Sequence, residues 1–246
     1  MSWGGHDSDV LRCLRAVEDS LVARHLMTPV ADLVTAHGDD RASELAEHHD
    51  FEVIPRVTDG RIQDYWWRRA GRREAILMGM VVAGDTRVLD LLDFFVDHRF
   101  GFVLIGRSVG GYLHYSDLNK QPVKIAFYVQ FEAIERVMRN RLARELDKNP
   151  TLLEQGLGRQ KAARIRGSYE SAKRDDVDIG IVNAIFSFSN LLTLATEGGL
   201  VCLSGEEIAA ITAARNRLMH ANEPLLRSHA DVAGLIWLRD ALPRLG

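Results

Sequence analysis

The sequence lacks the features of membrane-spanning and of secreted, disulfide-stabilised proteins. Its 246 residues contain no apolar run of about 18 residues, so no transmembrane helix is predicted. The first residues show no basic segment followed by an apolar run, so no signal peptide is expected. The two cysteines, Cys13 and Cys202, are too few for a disulfide framework or a cysteine zinc site. Their apolar surroundings predict buried thiols in a reducing compartment, and we therefore expect a cytoplasmic protein.

Strong net charge is also absent. The formal net charge is −3, which excludes a chain that is polybasic throughout. Basic residues nevertheless concentrate in residues 136–174, where eleven Lys and Arg stand against four Asp and Glu. This segment is suited either to a polyanion such as RNA or to a solvated helix face with local ion pairs. The spacing leaves both interpretations open.

The first half of the chain contains an internal repeat. Residues 38–62 and 84–113 both begin with Gly-Asp, a polar residue and Arg, and both continue through a helical pattern into two short strands. The strands expected in the first copy are Leu33–Thr35, Phe51–Val57 and Arg61–Tyr65, with a turn at Asp59-Gly60. Those expected in the second copy are Ile76–Val82, Phe102–Ile105 and Tyr112–His114, with a turn at Gly110-Gly111.

The repeat, its lead-in Leu26–Pro29 and its ending Gly111–Leu118 resemble a tandem pair of CBS domains. The ending is similar to the family motif Gly-x-x-Thr-x-Ser/Thr-Asp, with His114 where Thr or Ser is usual. The resemblance implies that ATP, ADP or AMP binds as a regulatory ligand, with contacts from His114, Ser116, Asp117 and Thr86. A carboxylate can accept the ribose hydroxyls, and a neighbouring hydroxyl can reach phosphate. The alternative role for Asp117 is a helix N-cap.

The matching segment of the first copy, residues 60–66, lacks the hydroxyl–Asp ending. One nucleotide site or none is therefore expected.

The second half has the period of helices. We predict a long helix from Val123 to about residue 148, a basic helical stretch over 151–175, and an apolar helix over Val177–Ala195. Ser204 and Glu207 form a capping box for a helix reaching about Ala221, and Ser228 and Asp231 open a final helix through Leu242. The sequence thus predicts an α+β protein: a lead-in over 1–25, a CBS pair over 26–121 and a helical bundle over 122–246.

One motif of the bundle carries potential chemistry. Arg215-Asn216-Arg217-Leu218-Met219-His220 resembles the nuclease motif of the HEPN family, an Arg followed by four to six residues and a His. The spacing alone is weak evidence for a nuclease motif, because the pairs Arg41/His48 and Arg107/His114 also satisfy it. Those pairs lie in the α/β repeats, whereas the third lies late in a predicted helix of an all-α segment.

The resemblance implies metal-independent cleavage of RNA between two protomers. His220 would exchange the proton of the 2′-OH or of the leaving oxygen, Arg215 would neutralise phosphate charge, and Asn216 would orient one of these groups. The product would be a 2′,3′-cyclic phosphate. The structural alternative is a His220 cation at a helix C-terminus, with Arg215 paired to Glu206, Glu207 or Asp231.

These features lead to two hypotheses. The first is a homodimeric, nucleotide-regulated endoribonuclease of the toxin or defence-effector type, with RNA as substrate and neither metal nor membrane required. The second is a nucleotide-sensing protein without catalysis, whose helical domain dimerises or binds a partner such as a nucleotidyltransferase or RNA.

Overall fold

The computed structural model describes residues 4–175, 180–220 and 223–245. These residues form a mixed α+β structure that divides into two compact units. The α/β unit comprises Glu18–Ala126 and Leu226–Leu235, and the helical unit comprises the described residues of Met1–Val17, Phe127–Leu225 and Ile236–Gly246. The α/β unit is therefore completed by a segment that follows most of the helical unit in the sequence.

The α/β unit contains two antiparallel hairpins, each preceded by a helix. Its elements are α2 (Asp39–His48), β2 (Val53–Thr58), β3 (Arg61–Trp67), β4 (Arg72–Ala75), β5 (Val81–Ala83), α3 (Leu91–Asp97), β6 (Phe100–Ile105) and β7 (Ser108–His114), with a short β1 (Thr28–Pro29) before α2. One sheet has the order β1-β7-β6-β5 and the other the order β2-β3-β4. The repeat thus corresponds to two similar helix–hairpin modules.

Residues of both modules form one hydrophobic cluster. Tyr65 of β3 packs against Phe100 and Phe102 of β6, with ring centroids 5.4 and 5.7 Å apart. Val53 and Ile62 belong to the same cluster. The lead-in also joins the second module, because Thr28 pairs with Tyr112 and Pro29 with Gly111. This pairing brings the segment before α2 against β7.

Three local predictions in this unit are wrong. Leu33–Thr35 forms no strand, and the strand expected over Ile76–Val82 is confined to Val81–Ala83. The second hairpin turns at Gly106, which has a φ of 63°, instead of at Gly110-Gly111. Gly110 and Gly111 lie inside β7, where an added Cβ would collide with Ile105 and Met27. These two glycines therefore permit close packing, and they do not form the turn.

Among the described residues, four helices lie wholly within the helical unit and three others lie partly within it. The long α4 (Gln121–Lys148) is followed by α5 (Leu152–Leu157), α6 (Arg159–Arg174), α7 (Phe188–Glu197) and α8 (Gly205–Met219). Helix α1 (Gly4–Ser20) lies mostly in this unit, and α9 (Val232–Ala241) begins in the α/β unit and ends here. The capping box at Ser204 is confirmed, since Ser204 Oγ accepts from the Glu207 N–H. The basic stretch over 151–175 is two helices separated by Gly158, which has a φ of 76°.

The helix predicted over Val177–Ala195 is wrong in its first half. Residues 176–179 lie outside the described structure, Ile181–Ala184 form a single 3₁₀ turn, and α7 begins only at Phe188. Arg139 of α4 explains the interruption. Its guanidinium donates to the carbonyls of Val182 and Ile185, at 2.7 and 3.1 Å, which gives these oxygens partners outside a helix.

Both cysteines depart from the prediction. Cys13 and Cys202 are free thiols and both are exposed, so the inference that they are buried is wrong. Cys13 lies on the outward side of α1, and Cys202 lies in the loop between α7 and α8.

Candidate functional site

A cavity of about 480 Å³ lies in the α/β unit and is lined by residues of both modules. Its apolar lining comes from the segment before α2, the start of β2 and β7: Leu33, Val34, Phe51, Val53, Pro55 and Tyr112. Its polar lining consists of Thr28, Asp32, Asp50, Glu52, Arg68, Arg99 and His114. A concave apolar surface with a few converging polar groups is the usual form of a small-molecule site.

The two cavity arginines are held by carboxylates. Arg68 forms a short ion pair with Asp50, and this hydrogen bond raises the pKa of the guanidinium. Glu52 lies 3.6 Å from Arg99 and 3.2 Å from Arg69. The Nε of Arg99 is buried and has no hydrogen-bond partner among the described residues. The two guanidinium groups are therefore held in place by carboxylates, which also balance most of their positive charge.

His114 is the predicted nucleotide residue that lines this cavity. Its Nδ1 lies 2.7 Å from Ser116 Oγ and accepts from the Ser116 N–H at 3.3 Å. Burial lowers the pKa of His114 most, and Arg99 and His229 lower it further, while Asp117 and Glu52 oppose the shift. The ring is thus favoured in its neutral form, with Nδ1 as an acceptor.

The other predicted nucleotide contacts lie outside the described cavity lining. Asp117 accepts from the His114 N–H at 2.7 Å with one oxygen and pairs with Lys120 at 2.9 Å with the other. Asp117 is thus the third residue of the 3₁₀ helix Tyr115–Asn119, whose N-cap is His114, so the alternative of an N-cap role for Asp117 is wrong. Ser116 is exposed beside His114. Thr86 lies beside Ala23, and the Thr86 carbonyl accepts a hydrogen bond from the Ala23 N–H at 2.7 Å.

Asp32, Glu52 and Arg99 were not predicted as site residues from the sequence. None of them belongs to a recognisable motif. Asp32 follows β1, Glu52 precedes β2 and Arg99 precedes β6, so they are far apart in the sequence and meet only in the folded unit. The sequence did contain one relevant signal, the lead-in Leu26–Pro29. Its pairing with β7 determines where the segment before α2 lies.

A second cavity, of about 430 Å³, lies beside the two hairpin turns of the same unit. Its lining includes Gly60, Arg61 and Gln63 from the first copy, and Arg107 and Ser108 from the second. Residues 60–66 lack the hydroxyl–Asp ending of the motif, and four of them, Gly60, Arg61, Ile62 and Gln63, line this cavity.

In the helical unit, the Arg–His motif lies at the end of α8. Asn216 and Arg217 are exposed in its last turn, and His220 is the exposed residue that follows the helix. The His220 N–H donates to the carbonyls of Asn216 and Arg217, both at 3.2 Å. Two polar side chains of the motif, Asn216 and His220, are therefore accessible to a ligand.

Arg215, in contrast, faces the interior of the helical unit. Its guanidinium pairs with Glu135 of α4 at 3.3 Å and lies 5.1 Å from the ring centre of Phe188. Glu135 also accepts two hydrogen bonds from Arg139, at 2.7 and 3.1 Å. The expected partners Glu206, Glu207 and Asp231 are therefore replaced by Glu135, which lies 80 residues away in the sequence.

Within residues 4–175, 180–220 and 223–245, no group of three or more His, Cys, Asp or Glu is arranged to hold a metal ion. No helix in the same ranges has both the length and the apolar character needed to cross a membrane.

Comparison with known proteins finds similarity at the level of solved structures. The CBS domain of a bacterial CNNM/CorC family Mg²⁺ transporter, in complex with ATP, is 12% identical, covers 49% of this chain and 96% of its own, and has a TM-score of 0.36. A hemolysin-like protein containing a CBS domain, from Oenococcus oeni PSU, is 14% identical, covers 44% and 94%, and has a TM-score of 0.34. No protein-family model matches the chain, and no curated protein matches it.

Proposed function

We propose that the α/β unit is a CBS-type sensor that binds an adenine nucleotide in the 480 Å³ cavity. The observation that carries this proposal is the division of the cavity lining into an apolar part and a part with two guanidinium groups. The apolar part suits a purine base, which gains from burial against aliphatic and aromatic side chains. The polar part suits the sugar and phosphate, because guanidinium groups bind phosphate oxygens in a fixed geometry.

Individual groups of the cavity have distinct roles in this proposal. Arg99 is the proposed phosphate ligand, because it lines the cavity and its Nε lies 3.6 Å from Glu52 without a hydrogen bond. Asp32 is the free ribose acceptor, because Asp117 is already occupied by Lys120 and the His114 backbone. The neutral His114 ring contributes a hydrogen bond without adding charge.

Isothermal titration of the full chain with AMP, ADP and ATP tests this proposal. Arg99→Met is expected to weaken binding of the best ligand by about tenfold or more, because it removes a charge-assisted contact. Arg107→Met is the matched control, since Arg107 lies in the second hairpin turn and lines the other cavity. Absence of binding by all three nucleotides to the folded wild type would contradict the proposal.

A second function is proposed for the helical unit, namely metal-independent cleavage of RNA by a homodimer. It is supported by the exposure of Asn216 and His220 at the end of α8. The basic segment 136–174 supplies further cationic side chains for a polyanion. The motif's resemblance to the HEPN family supplies the reaction class.

The proposed reaction begins with transfer of the 2′-OH proton to the neutral ring of His220. The 2′ oxygen then bonds to phosphorus as the bond from phosphorus to the 5′ oxygen breaks, and the leaving oxygen takes a proton from His220 of the second protomer. Arg215 neutralises the phosphate charge after exchanging Glu135 for a phosphate oxygen. The products are a 2′,3′-cyclic phosphate and a 5′-hydroxyl.

The test is cleavage of a labelled mixed RNA in EDTA, with and without nucleotide. Wild type is compared with His220→Ala and with the control His48→Ala, which alters an exposed histidine of α2. Loss of cyclic-phosphate product only in His220→Ala, together with a change in rate on adding nucleotide, is the expected result. Cleavage that survives His220→Ala would overturn this role. No cleavage by a folded protein would favour the non-catalytic hypothesis of a nucleotide-sensing module that binds RNA or a nucleotidyltransferase.

A further inference from the structure

The charges around the 480 Å³ cavity define which kind of adenine ligand it accommodates. The cavity is lined by three carboxylates, Asp32, Asp50 and Glu52, and by two guanidinium groups, Arg68 and Arg99. Arg69 lies outside the described lining but pairs with Glu52, so its charge belongs to the same group. These three carboxylates and three guanidinium groups carry no net formal charge, and the third cation, Arg69, is already paired with Glu52.

Most of this charge is internally paired. Arg68 is bound to Asp50, and Glu52 lies between Arg69 and Arg99. A polyphosphate would have to take these guanidinium groups from their carboxylates and would leave the carboxylates close to its own negative charge. Like charges a few ångströms apart repel, and the repulsion is least screened at Glu52, whose side chain is only 19% exposed. The cavity therefore penalises each phosphate after the first.

Asp32 strengthens this discrimination. It is exposed at the edge of the cavity, at the end of the 3₁₀ turn Val30–Asp32, and it has no ion pair or hydrogen bond with any other residue the structure describes. An unpaired carboxylate at this point can accept ribose hydroxyls or attract a cationic group, and it repels a phosphate chain. His114 does not offset it, because burial disfavours the charged ring.

We propose that the cavity selects an adenosine ligand that carries at most one phosphate, and that Asp32 is the residue that excludes nucleoside polyphosphates. This inference rests on the proposed nucleotide-sensing function and specifies the ligand class of the same site. AMP is the expected member with one phosphate, and adenosine is the uncharged reference. ADP and ATP bind more weakly because their additional charge meets an uncompensated carboxylate.

Titration of the full chain with adenosine, AMP, ADP and ATP, in EDTA and again with excess Mg²⁺, tests the selectivity. We expect AMP to bind about tenfold more tightly than ATP, with ADP between them. Asp32→Asn is expected to reduce this ratio severalfold. Both ligands lose the same ribose contact, whereas only ATP gains from removal of a negative charge beside its additional phosphates, and the side-chain shape is kept. Asp40→Asn makes the same change on the exposed side of α2, outside the described lining, and should leave the ratio unaltered.

The possible results separate this inference from the function on which it rests. ATP binding more tightly than AMP, with or without Mg²⁺, would overturn the selectivity while leaving nucleotide sensing intact. If the ratio of AMP affinity to ATP affinity is the same in Asp32→Asn as in wild type, Asp32 does not cause the selectivity. If none of the four ligands binds, the sensing function fails and the selectivity fails with it.

Discussion

The side-chain amide of Asn119 holds the backbone of Leu226 through two hydrogen bonds. Asn119 Nδ2 donates to the Leu226 carbonyl at 3.0 Å, and Asn119 Oδ1 accepts from the Leu226 N–H at 2.8 Å. The two residues are 107 positions apart, and Leu226 is buried. This pair attaches the segment Leu226–Leu235 to the rest of the α/β unit.

Replacing Asn119 is expected to destabilise the protein by removing both bonds at once. Asn119→Ala leaves the buried N–H and carbonyl of Leu226 without a partner, and the free energy of unfolding should fall by about 1–3 kcal/mol. Urea denaturation of the full chain measures this change. Gln160→Ala on the exposed side of α6 is the control and should alter stability by less than about 0.5 kcal/mol. Equal effects of the two substitutions would show that the bonds at Leu226 do not stabilise the fold.

Glu135 is expected to matter more for stability than its charge alone suggests. It pairs with both Arg139 and Arg215, and all three side chains are largely buried. Glu135→Ala leaves two guanidinium groups without their carboxylate and should lower the free energy of unfolding by about 2–3 kcal/mol.

The matched control for this prediction is Glu132→Ala, one helical turn earlier on α4. Glu132 lies 3.8 Å from Arg136, and both side chains are substantially exposed. Exposed pairs of this kind contribute at most about 1 kcal/mol. A loss of stability in Glu132→Ala as large as in Glu135→Ala would refute the special role of the Glu135 network.

Acidification should destabilise the protein partly through His114. Burial lowers the pKa of His114 in the folded state, so the unfolded chain binds a proton more readily than the folded chain. This contribution to stability is complete above the ordinary histidine pKa of about 6.5 and is lost as the pH falls from there through the lower folded value. Denaturation at several pH values should therefore show that the free energy of unfolding falls less on acidification in His114→Gln than in wild type. His48→Gln, at an exposed position, should follow the wild-type curve, and a parallel curve for His114→Gln would contradict the assignment.

Both thiols should react in the native protein. Cys13 and Cys202 are exposed, so a thiol reagent such as Ellman's reagent should titrate about two equivalents without denaturant. Cys13→Ser and Cys202→Ser should each remove one equivalent. A thiol that reacts only after unfolding would instead support the burial expected from its apolar sequence neighbours.

The sequence predicted the repeat correctly but misjudged two of its glycines. Asp59 and Gly60 form the expected turn, with φ values of 50° and 72°. Gly110 and Gly111 carry a similar local signal and lie within a strand, because side chains of Ile105 and Met27 occupy the space where their Cβ atoms would be. Local composition cannot distinguish a glycine needed for its φ angle from one needed for close packing.

One helix boundary and the cavity were also determined by residues far apart in the sequence. The apolar pattern over Val177–Ala195 is helical, but Arg139 binds the carbonyls of Val182 and Ile185 and stabilises a different conformation. The cavity was beyond prediction for a similar reason, since Asp32, Glu52 and Arg99 come from three separate segments that meet only in the folded α/β unit. The capping box at Ser204, in contrast, depends on residues three positions apart and was predicted correctly.

The attachment of Leu226–Leu235 to the α/β unit has a consequence for biosynthesis. A ribosome makes Glu18–Ala126 before most of the helical unit, yet the α/β unit cannot form its Asn119–Leu226 bonds until residues 127–225 have also been made. Domains that are continuous in sequence can fold one after another during translation. Here the unit that begins folding first is completed late, so its final assembly waits for synthesis of most of the other unit. A truncation between Ala126 and Leu226 would likewise separate Glu18–Ala126 from Leu226–Leu235, the second part of the same unit.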